Sequence, residues 1–541
     1  MSSHGTFIKG AAILAVAGVS VRFFGAAMRI VLAAIVGDEG IGLYQMAYPI
    51  YSSLLAISTA GIPVAISKLV AENIAYHDYR EAGRVFRLAL IILALTGLVI
   101  TLLMVAGADF LAVAVVKEPR AVWPLWAISP AIFFVTIMSA FRGFFQGQQK
   151  MTPTALSQLL EQVVRVLVSL GLAVYLLPAG LEYAAAGAAF GAVAGGILGL
   201  ALLLFIFWQS RPAFQELERR QSRHSPSAPG EIIRRIFTLA IPVTFGSLIL
   251  PLITLIDLAV VPRQLQAAGF TAERATALYG QLTGMASSII YFPNVVTIAL
   301  GMSLVPAISE AYALNNHKAI VSRSAMAIKL TLLFSIPAAL GLYILAEPVT
   351  VLLFNNAEAG RSLAFMSWSV IPLCIYVSTT GILQGLGRPI IPVLNMVYGG
   401  LVKTVMAWFL TPVQGLDVGG AALASVAGMG VAAVLNLYYV SRLTGWRFRP
   451  LELVLLPGIA VTFMSAAVYL LFNTLHSYLG GFLSPGTANG MATLAAIAAG
   501  ILVYGLSLLL VGGLTREELS LVPVAGRHLV RLADRFKLIR R

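Results

Sequence analysis

The chain has 541 residues, of which 59% are hydrophobic and only 11% carry a charge. Soluble domains carry about 25% charged residues, so this composition excludes a soluble enzyme and predicts an all-α polytopic membrane protein. The formal net charge of +14 comes mainly from basic residues between the apolar segments, and no nucleic-acid partner is needed to explain it.

Fourteen apolar segments follow one another along the chain. A spanning helix needs about 20 mainly apolar residues, and each segment is long enough. The first is too long for a secretory signal and contains Arg22, so we expect an uncleaved first span. The segments 107–120 and 346–361 are predicted to be loops. The predicted spans are 7–36, 41–67, 83–106, 121–146, 152–177, 183–208, 234–261, 277–305, 320–345, 362–386, 390–412, 419–441, 451–473 and 489–513.

The basic residues predict the orientation of these spans. Of the 36 lysines and arginines, 27 fall in the N-terminal, C-terminal and alternate connecting segments, whereas five fall in the opposite set of loops. Because basic loops stay in the cytoplasm, both termini are predicted to be cytoplasmic. The six histidines fall in loops or tails, so we expect no metal site within the membrane.

The two halves of the chain repeat each other at an offset of 238 residues. Gly143–Gly147 matches Gly381–Gly385 in its Gly and Gln-Gly positions, and Arg165 matches Lys403. Six spans per repeat give both repeats the same orientation, and such repeats place a substrate site at their interface. The predicted parts are an N-lobe (1–208), a basic linker (209–233), a C-lobe (234–441), two further helices (442–513) and an amphipathic basic tail (514–541).

Ionisable residues inside the spans mark the candidate site. A charge at the centre of a spanning helix costs roughly 2.5–3.5 kcal/mol on insertion scales, so it is rarely without a role. Four of the six are positive, which favours an anionic substrate, and arginine can bind phosphate through two hydrogen bonds. The six are Arg22, Arg29, Glu161, Arg165, Asp257 and Lys403.

Several roles stay open for these residues. Arg22 and Arg29 are two helical turns apart and face the same side. Glu161 can pair with Arg165 four residues later, and that pair would neutralise itself. Lys403 needs a partner from elsewhere, which is Asp257, a phosphate or water. Asp257, with Asn395 as a neutral oxygen ligand, is a candidate for a coupling Na⁺ or proton, or else forms a plain salt bridge.

The stretch Phe141–Ala155, followed by Ser157–Arg165, resembles the stage V sporulation protein B/YtgP group of polysaccharide-biosynthesis membrane proteins. This group lies in the multidrug/oligosaccharidyl-lipid/polysaccharide (MOP) exporter superfamily, with the MurJ lipid II flippases. The resemblance implies two six-helix lobes plus two helices in a bacterial plasma membrane. It implies translocation of an undecaprenyl-pyrophosphate-linked precursor, most specifically lipid II, without a cofactor.

The resemblance also assigns residues. MurJ-like flippases have cavity arginines on the first helix, where this chain has Arg22 and Arg29, and also on the second and eighth helices. Here the corresponding spans contain Gln45 and Asn294, which we expect to support the cavity. Arg22, Arg29, Arg165 and Lys403 are the expected substrate-binding residues. The expected partners are the lipid-linked glycan, membrane lipids and cell-wall synthesis enzymes, in vegetative growth or sporulation.

Three other functions are compatible with the chain. It could export another lipid-linked polysaccharide unit. It could be a cation-coupled multidrug antiporter, although two spanning acids against four spanning bases argue against a cationic substrate. It could also be a non-transporting scaffold for wall synthesis. No Gly-Lys-Ser/Thr phosphate loop is present, so transport driven by nucleotide hydrolysis in this chain is not expected.

Overall fold

The computed structural model describes residues 3–59, 61–221, 227–447 and 450–512, and these ranges are helical apart from short turns. The predicted tail 514–541 lies outside them. The helices are α1 (Ser3–Thr59), α2 (Ile62–Ala75), α3 (Tyr79–Phe110), α4 (Val122–Gly147), α5 (Thr152–Leu176), α6 (Leu181–Arg220), α7 (Pro229–Ala267), α8 (Ala272–Gly280), α9 (Ser287–Ala313), α10 (His317–Ile344), α11 (Ala346–Phe354), α12 (Ala359–Ser367), α13 (Val370–Gly385), α14 (Ile390–Leu410), α15 (Val418–Thr444), α16 (Leu456–Gly480) and α17 (Pro485–Leu510).

The membrane-spanning architecture is confirmed. Within the described ranges, twelve helical stretches are long and apolar enough to cross a membrane, or thirteen if α12 and α13, which meet at a 48° bend, form one crossing. The first stretch, Val16–Ala75, has 60 residues, far more than the roughly 20 that one crossing requires. It is interrupted at Gly37, whose φ of 71° is not helical. This stretch therefore contains residues 16–36 of the predicted first span and all of the predicted second span, 41–67.

The two connections predicted as loops are helical, so that prediction is wrong. In the first, α3 continues to Phe110 and leads into a π-helical turn at Leu111–Val116. In the second, α11 and the start of α12 replace the loop. The charged residues and prolines of these segments suggested loops, but a proline in the first turn of a helix breaks no internal hydrogen bond.

The described chain divides into two compact units, Met1–Gly284 and Met285–Arg541. The first has an aromatic core, in which the Phe86 and Phe144 ring centroids lie 4.4 Å apart. The second has an aliphatic core that includes Ile308 and Ile382. The lobe boundaries predicted from the repeat stay predictions, because compactness and sequence repetition are different properties.

Glycines bring corresponding helices together in each unit. A side chain on Gly195 of α6 would lie 2.6 Å from the carbonyl oxygen of Glu161 on α5. A side chain on Gly428 of α15 would lie 2.6 Å from the carbonyl oxygen of Gly399 on α14. Glu161 and Gly399 are 238 residues apart, so the same contact recurs at the repeat offset. Small residues allow this close approach of helices in lipid.

A buried carboxylate lies in the connection between α3 and α4 of the first unit. Glu118, 2% exposed, accepts hydrogen bonds from Arg120 Nε and Thr276 Oγ1, both at 2.9 Å. Arg120 also donates to Glu39 at 2.6 Å. Burial alone would raise the pKa of Glu118, but the hydrogen bonds from Arg120 and Thr276 outweigh it and hold the pKa below its ordinary value of 4.5. The ionised form therefore stabilises this corner of the fold.

This lowered pKa predicts an acid-dependent loss of stability. A carboxyl group with a lowered folded-state pKa contributes all of its stabilisation above the unfolded-state pKa, and the contribution disappears as the pH falls through the folded-state pKa. We expect Glu118→Gln to lower the melting temperature at pH 7, and the gap to wild type to close below about pH 4.5. The melting temperatures of both proteins in detergent, measured from pH 7 down to acid pH, give this difference. A gap that stays constant at acid pH would contradict the assignment.

Candidate functional site

One side of α5 presents a tightly held carboxylate–guanidinium pair. Glu161 Oε1 accepts a hydrogen bond from Arg165 NH2 at 2.6 Å, and both side chains are largely buried. The i,i+4 spacing of the two residues on one helix produces this contact. The predicted local pairing is therefore present.

A second arginine holds the same carboxylate. Arg142 NH2, on α4, donates to Glu161 Oε2 at 3.0 Å, and Arg142 Nε donates to Ser157 Oγ at 3.0 Å. Arg142 lies at the end of the predicted span 121–146 and was counted with the cytoplasmic basic residues, so it was not predicted as a site residue. Its apolar neighbours Phe141 and Phe144, both buried, were the available signal. Glu161 is thus shared by two arginines and cannot neutralise both.

Arg29 and a row of tyrosines lie near this pair. The guanidinium groups of Arg165 and Arg29 both act electrostatically on the buried Tyr44 side chain. Tyr44, Tyr48 and Tyr51 are spaced at i, i+4 and i+7 on the second half of α1, and successive rings are 6.2 and 5.9 Å apart. Tyr51 is also within the electrostatic reach of Arg165 and Glu161. The tyrosines were not predicted as site residues, although their helical spacing is visible in the sequence.

We call these residues the arginine–tyrosine cluster; its members are Arg29, Tyr44, Tyr48, Tyr51, Arg142, Glu161 and Arg165. The cluster contains three guanidinium groups and one carboxylate. Among the described residues, Arg165 Nε is buried and has no hydrogen-bond partner. A buried donor left unpaired costs about 1–3 kcal/mol. A surplus of positive charge with a spare buried donor is suited to an anion such as a phosphate.

Three other predicted residues belong to the first unit. Arg22 is exposed on α1, two turns from Arg29. Gln45 is buried, and its Nε2 donates to the Thr283 carbonyl oxygen at 2.8 Å, which holds α1 against the π-helical turn after α8. Asp257 is partly buried on α7 and acts electrostatically on Tyr279. The cavity-supporting role of Gln45 and the coupling role of Asp257 stay predictions.

The remaining predicted residues belong to the second unit. Lys403 is partly buried on α14, and its Cβ lies at the Gly428 contact. Asn395 Nδ2 donates to Asn436 Oδ1 at 2.8 Å within a buried polar network. Asn294 is buried on α9, and its Oδ1 has no hydrogen-bond partner among the described residues. Their roles in binding a substrate or an ion stay predictions.

Comparisons with known proteins agree with this architecture. The polysaccharide biosynthesis protein family matches residues 7–312, and the MatE family matches residues 280–409. Stage V sporulation protein B of Bacillus subtilis (strain 168) is 31% identical over 526 residues, which cover 97% of this chain and 99% of that protein. Lipid II flippase MurJ of the same organism is 26% identical over 511 residues, which cover 91% of this chain and 92% of that protein.

A solved structure also shares the fold. Lipid II flippase MurJ in an inward closed conformation superposes with a TM-score of 0.65 at 15% sequence identity. The match covers 92% of this chain and 98% of that one. At this identity the likeness shows the fold alone. Together with the curated relatives, it establishes that the chain has the MOP-superfamily architecture of transporters, not that of an enzyme.

Proposed function

The chain belongs to the polysaccharide biosynthesis protein family, and from this premise we propose that it flips an undecaprenyl-pyrophosphate-linked cell-wall precursor from the inner to the outer leaflet. Lipid II is the proposed substrate, because a relative that aligns over nine-tenths of the chain is named a lipid II flippase. The proposed mechanism is alternating access, with both termini in the cytoplasm.

The observation that carries this proposal is the buried, unpartnered Nε of Arg165. A pyrophosphate carries its charge on oxygens that accept hydrogen bonds from guanidinium groups in pairs. Arg165 and Arg29 supply the charge, and the hydroxyl groups of Tyr44 and Tyr51 are further donors. Because Arg142 also binds the carboxylate of Glu161, that carboxylate does not cancel the positive charge of the cluster.

Other predicted residues have proposed roles in transport, and each is described within its own unit. Arg22 would attract the pyrophosphate to the first half of α1, where the side chain is exposed. Lys403 is the repeat counterpart of Arg165 and would serve the same anion in the second unit. Asp257 is the candidate residue for a coupling Na⁺ or proton in the first unit, and Asn395 is the candidate neutral ligand in the second.

A multidrug antiporter is the second candidate function, because the MatE family matches residues 280–409. Such a transporter needs a carboxylate that is available to a cationic drug. Glu161 is the one acid of the arginine–tyrosine cluster, and two arginines already hold it. The chemistry of the cluster therefore favours an anionic substrate.

Reconstitution tests the proposed function. The purified chain is placed in proteoliposomes with fluorescent lipid II, with an undecaprenyl-pyrophosphate carrying a different glycan, or with a cationic dye, under an imposed membrane potential. We expect transfer of lipid II above protein-free vesicles and no transport of the dye. Transfer of the other glycan alone would reject lipid II as the substrate. Transport of the dye alone would favour the antiporter, and no transfer in folded preparations would favour a scaffold.

A further inference from the structure

A second cationic site lies away from the arginine–tyrosine cluster. At the end of the first unit that the basic residues place in the cytoplasm, a cavity of about 400 Å³ is lined by Arg80, Arg84, Arg87, Gln215, Glu218 and Arg219. We propose that this arginine cavity binds the phosphate headgroup of an anionic phospholipid of the inner leaflet. The site shares no residue with the cluster and does not depend on the proposed transport activity.

Hydrogen bonds between α3 and α6 build the cavity. The Asp78 side chain caps α3 by accepting from the Glu81 backbone N–H at 2.9 Å, and it also accepts from Gln221 Nε2 at 2.9 Å. Arg80 Nε donates to the Glu218 carbonyl oxygen at 3.0 Å. A side chain at Gly83 would lie 2.7 Å from Glu218 Oε1, so glycine permits this approach. The two helix ends are therefore held together by several contacts.

The arginines of the cavity differ in the hydrogen bonds and ion pairs that they already form within the protein. Arg84 pairs with Glu81 at 2.9 Å and also donates to the Ser227 carbonyl oxygen. Arg87 donates to the Gly83 carbonyl oxygen at 3.4 Å, within its own helix. Across the described ranges, neither Arg87 nor Arg219 forms a close salt bridge with a carboxylate, and Arg87 acts on Glu218 only at longer range. Four arginines against one lining glutamate leave a strongly cationic cavity with two guanidinium groups available to an anion.

The surface beside the cavity favours a lipid over a free phosphate ion. Residues four and eight after Arg87 on α3 are Ile91 and Leu95, which are 56% and 58% exposed. On α6, Trp208 lies about two turns before Gln215 and is 66% exposed. These apolar faces continue the cavity along both helices, and Trp is enriched at membrane interfaces. Basic pockets between helices on the cytoplasmic side are suited to anionic headgroups.

Lipid binding to the purified full chain tests the proposal. The variant Arg87→Gln/Arg219→Gln removes the two available guanidinium groups. The matched control, Arg388→Gln/Arg442→Gln, removes the same charge from exposed positions outside the cavity. Native mass spectrometry with added phosphatidylglycerol measures the affinity. Each basic residue contributes about fivefold to binding an anionic surface, so we expect roughly 30-fold weaker binding for the cavity variant and little change for the control.

Two further binding measurements distinguish an anionic lipid from a neutral lipid and from a free phosphate ion. Phosphatidylcholine should bind the cavity variant and wild type equally, because its headgroup carries no net charge. Millimolar inorganic phosphate should not displace phosphatidylglycerol. Equal losses in both double variants would overturn the proposal in favour of bulk electrostatics. Displacement by inorganic phosphate would overturn the lipid assignment in favour of a free phosphate ion.

Discussion

Replacing Arg165 with glutamine should abolish transfer of the lipid-linked pyrophosphate in proteoliposomes. Truncating one partner of a buried, hydrogen-bonded charge pair costs about 2–5 kcal/mol, which is roughly 30- to 4,000-fold in affinity. The variant should still fold, because Arg142 continues to bind Glu161 at 3.0 Å. Initial transfer rates, together with melting in detergent, measure both effects.

Two companion variants define what Arg165 contributes. Arg165→Lys keeps the positive charge but loses the planar fork that binds phosphate through two hydrogen bonds, so an intermediate rate is expected. Arg361→Gln removes an exposed arginine that contacts Asp417 at 3.8 Å in the second unit, and it should transfer lipid at the wild-type rate. Wild-type transfer by a folded Arg165→Gln protein would remove Arg165 from the site.

Introducing leucine at Gly428 should strongly destabilise the second unit. A side chain there would lie 2.6 Å from both the Gly399 carbonyl oxygen and the Lys403 Cβ, so α14 and α15 would have to separate. Overpacking of this kind costs about 1–3 kcal/mol, and occasionally more. We expect a lower melting temperature and a smaller yield of monodisperse protein.

Gly430 provides a matched control on the same helix. It is two residues further along α15, and a Cβ there would have no neighbour within 4 Å. Gly430→Leu should therefore retain the wild-type melting temperature. Equal destabilisation by both substitutions would mean that any leucine added to α15, and not the close approach at Lys403, determines the result.

Hydropathy was sufficient to predict the architecture because spanning helices are defined by local composition. The pair Glu161–Arg165 was also predictable, since both residues lie on one helix. Arg142 was not, because its contact with Glu161 depends on how α4 packs against α5. Tyr44 and Tyr51 were missed for the same reason: periodicity identifies a shared helix face but not the helix that it meets.

Gln45 illustrates the limit of reasoning by family resemblance. Its position corresponds to a helix that carries a cavity arginine in MurJ-like proteins, so it was expected to support the cavity. Its amide bonds to the Thr283 backbone at 2.8 Å, and its role in supporting the cavity stays a prediction. A buried amide needs a hydrogen-bond partner, and the sequence does not indicate whether that partner is substrate or protein.

The structure adds a detail of packing that agrees with the repeat. Gly195 and Gly428 contact Glu161 and Gly399, and these contacted residues are related by the offset that also relates Arg165 to Lys403. The close helix pair is thus kept in both units while the charged residue beside it differs: Arg165, which pairs with an acid of its own helix, in one and Lys403 in the other. The first unit therefore combines a cation with an acid on one helix, whereas the second does not.

The most direct test of the central claim is to locate the bound pyrophosphate. An undecaprenyl-pyrophosphate probe with a photoreactive group beside the phosphates is cross-linked to the full chain in proteoliposomes, and the adducts are mapped by peptide mass spectrometry. The proposed site predicts adducts within 22–51 and 157–169 that disappear in Arg165→Gln. Adducts confined to other segments, or unchanged in Arg165→Gln, would contradict pyrophosphate binding at the arginine–tyrosine cluster.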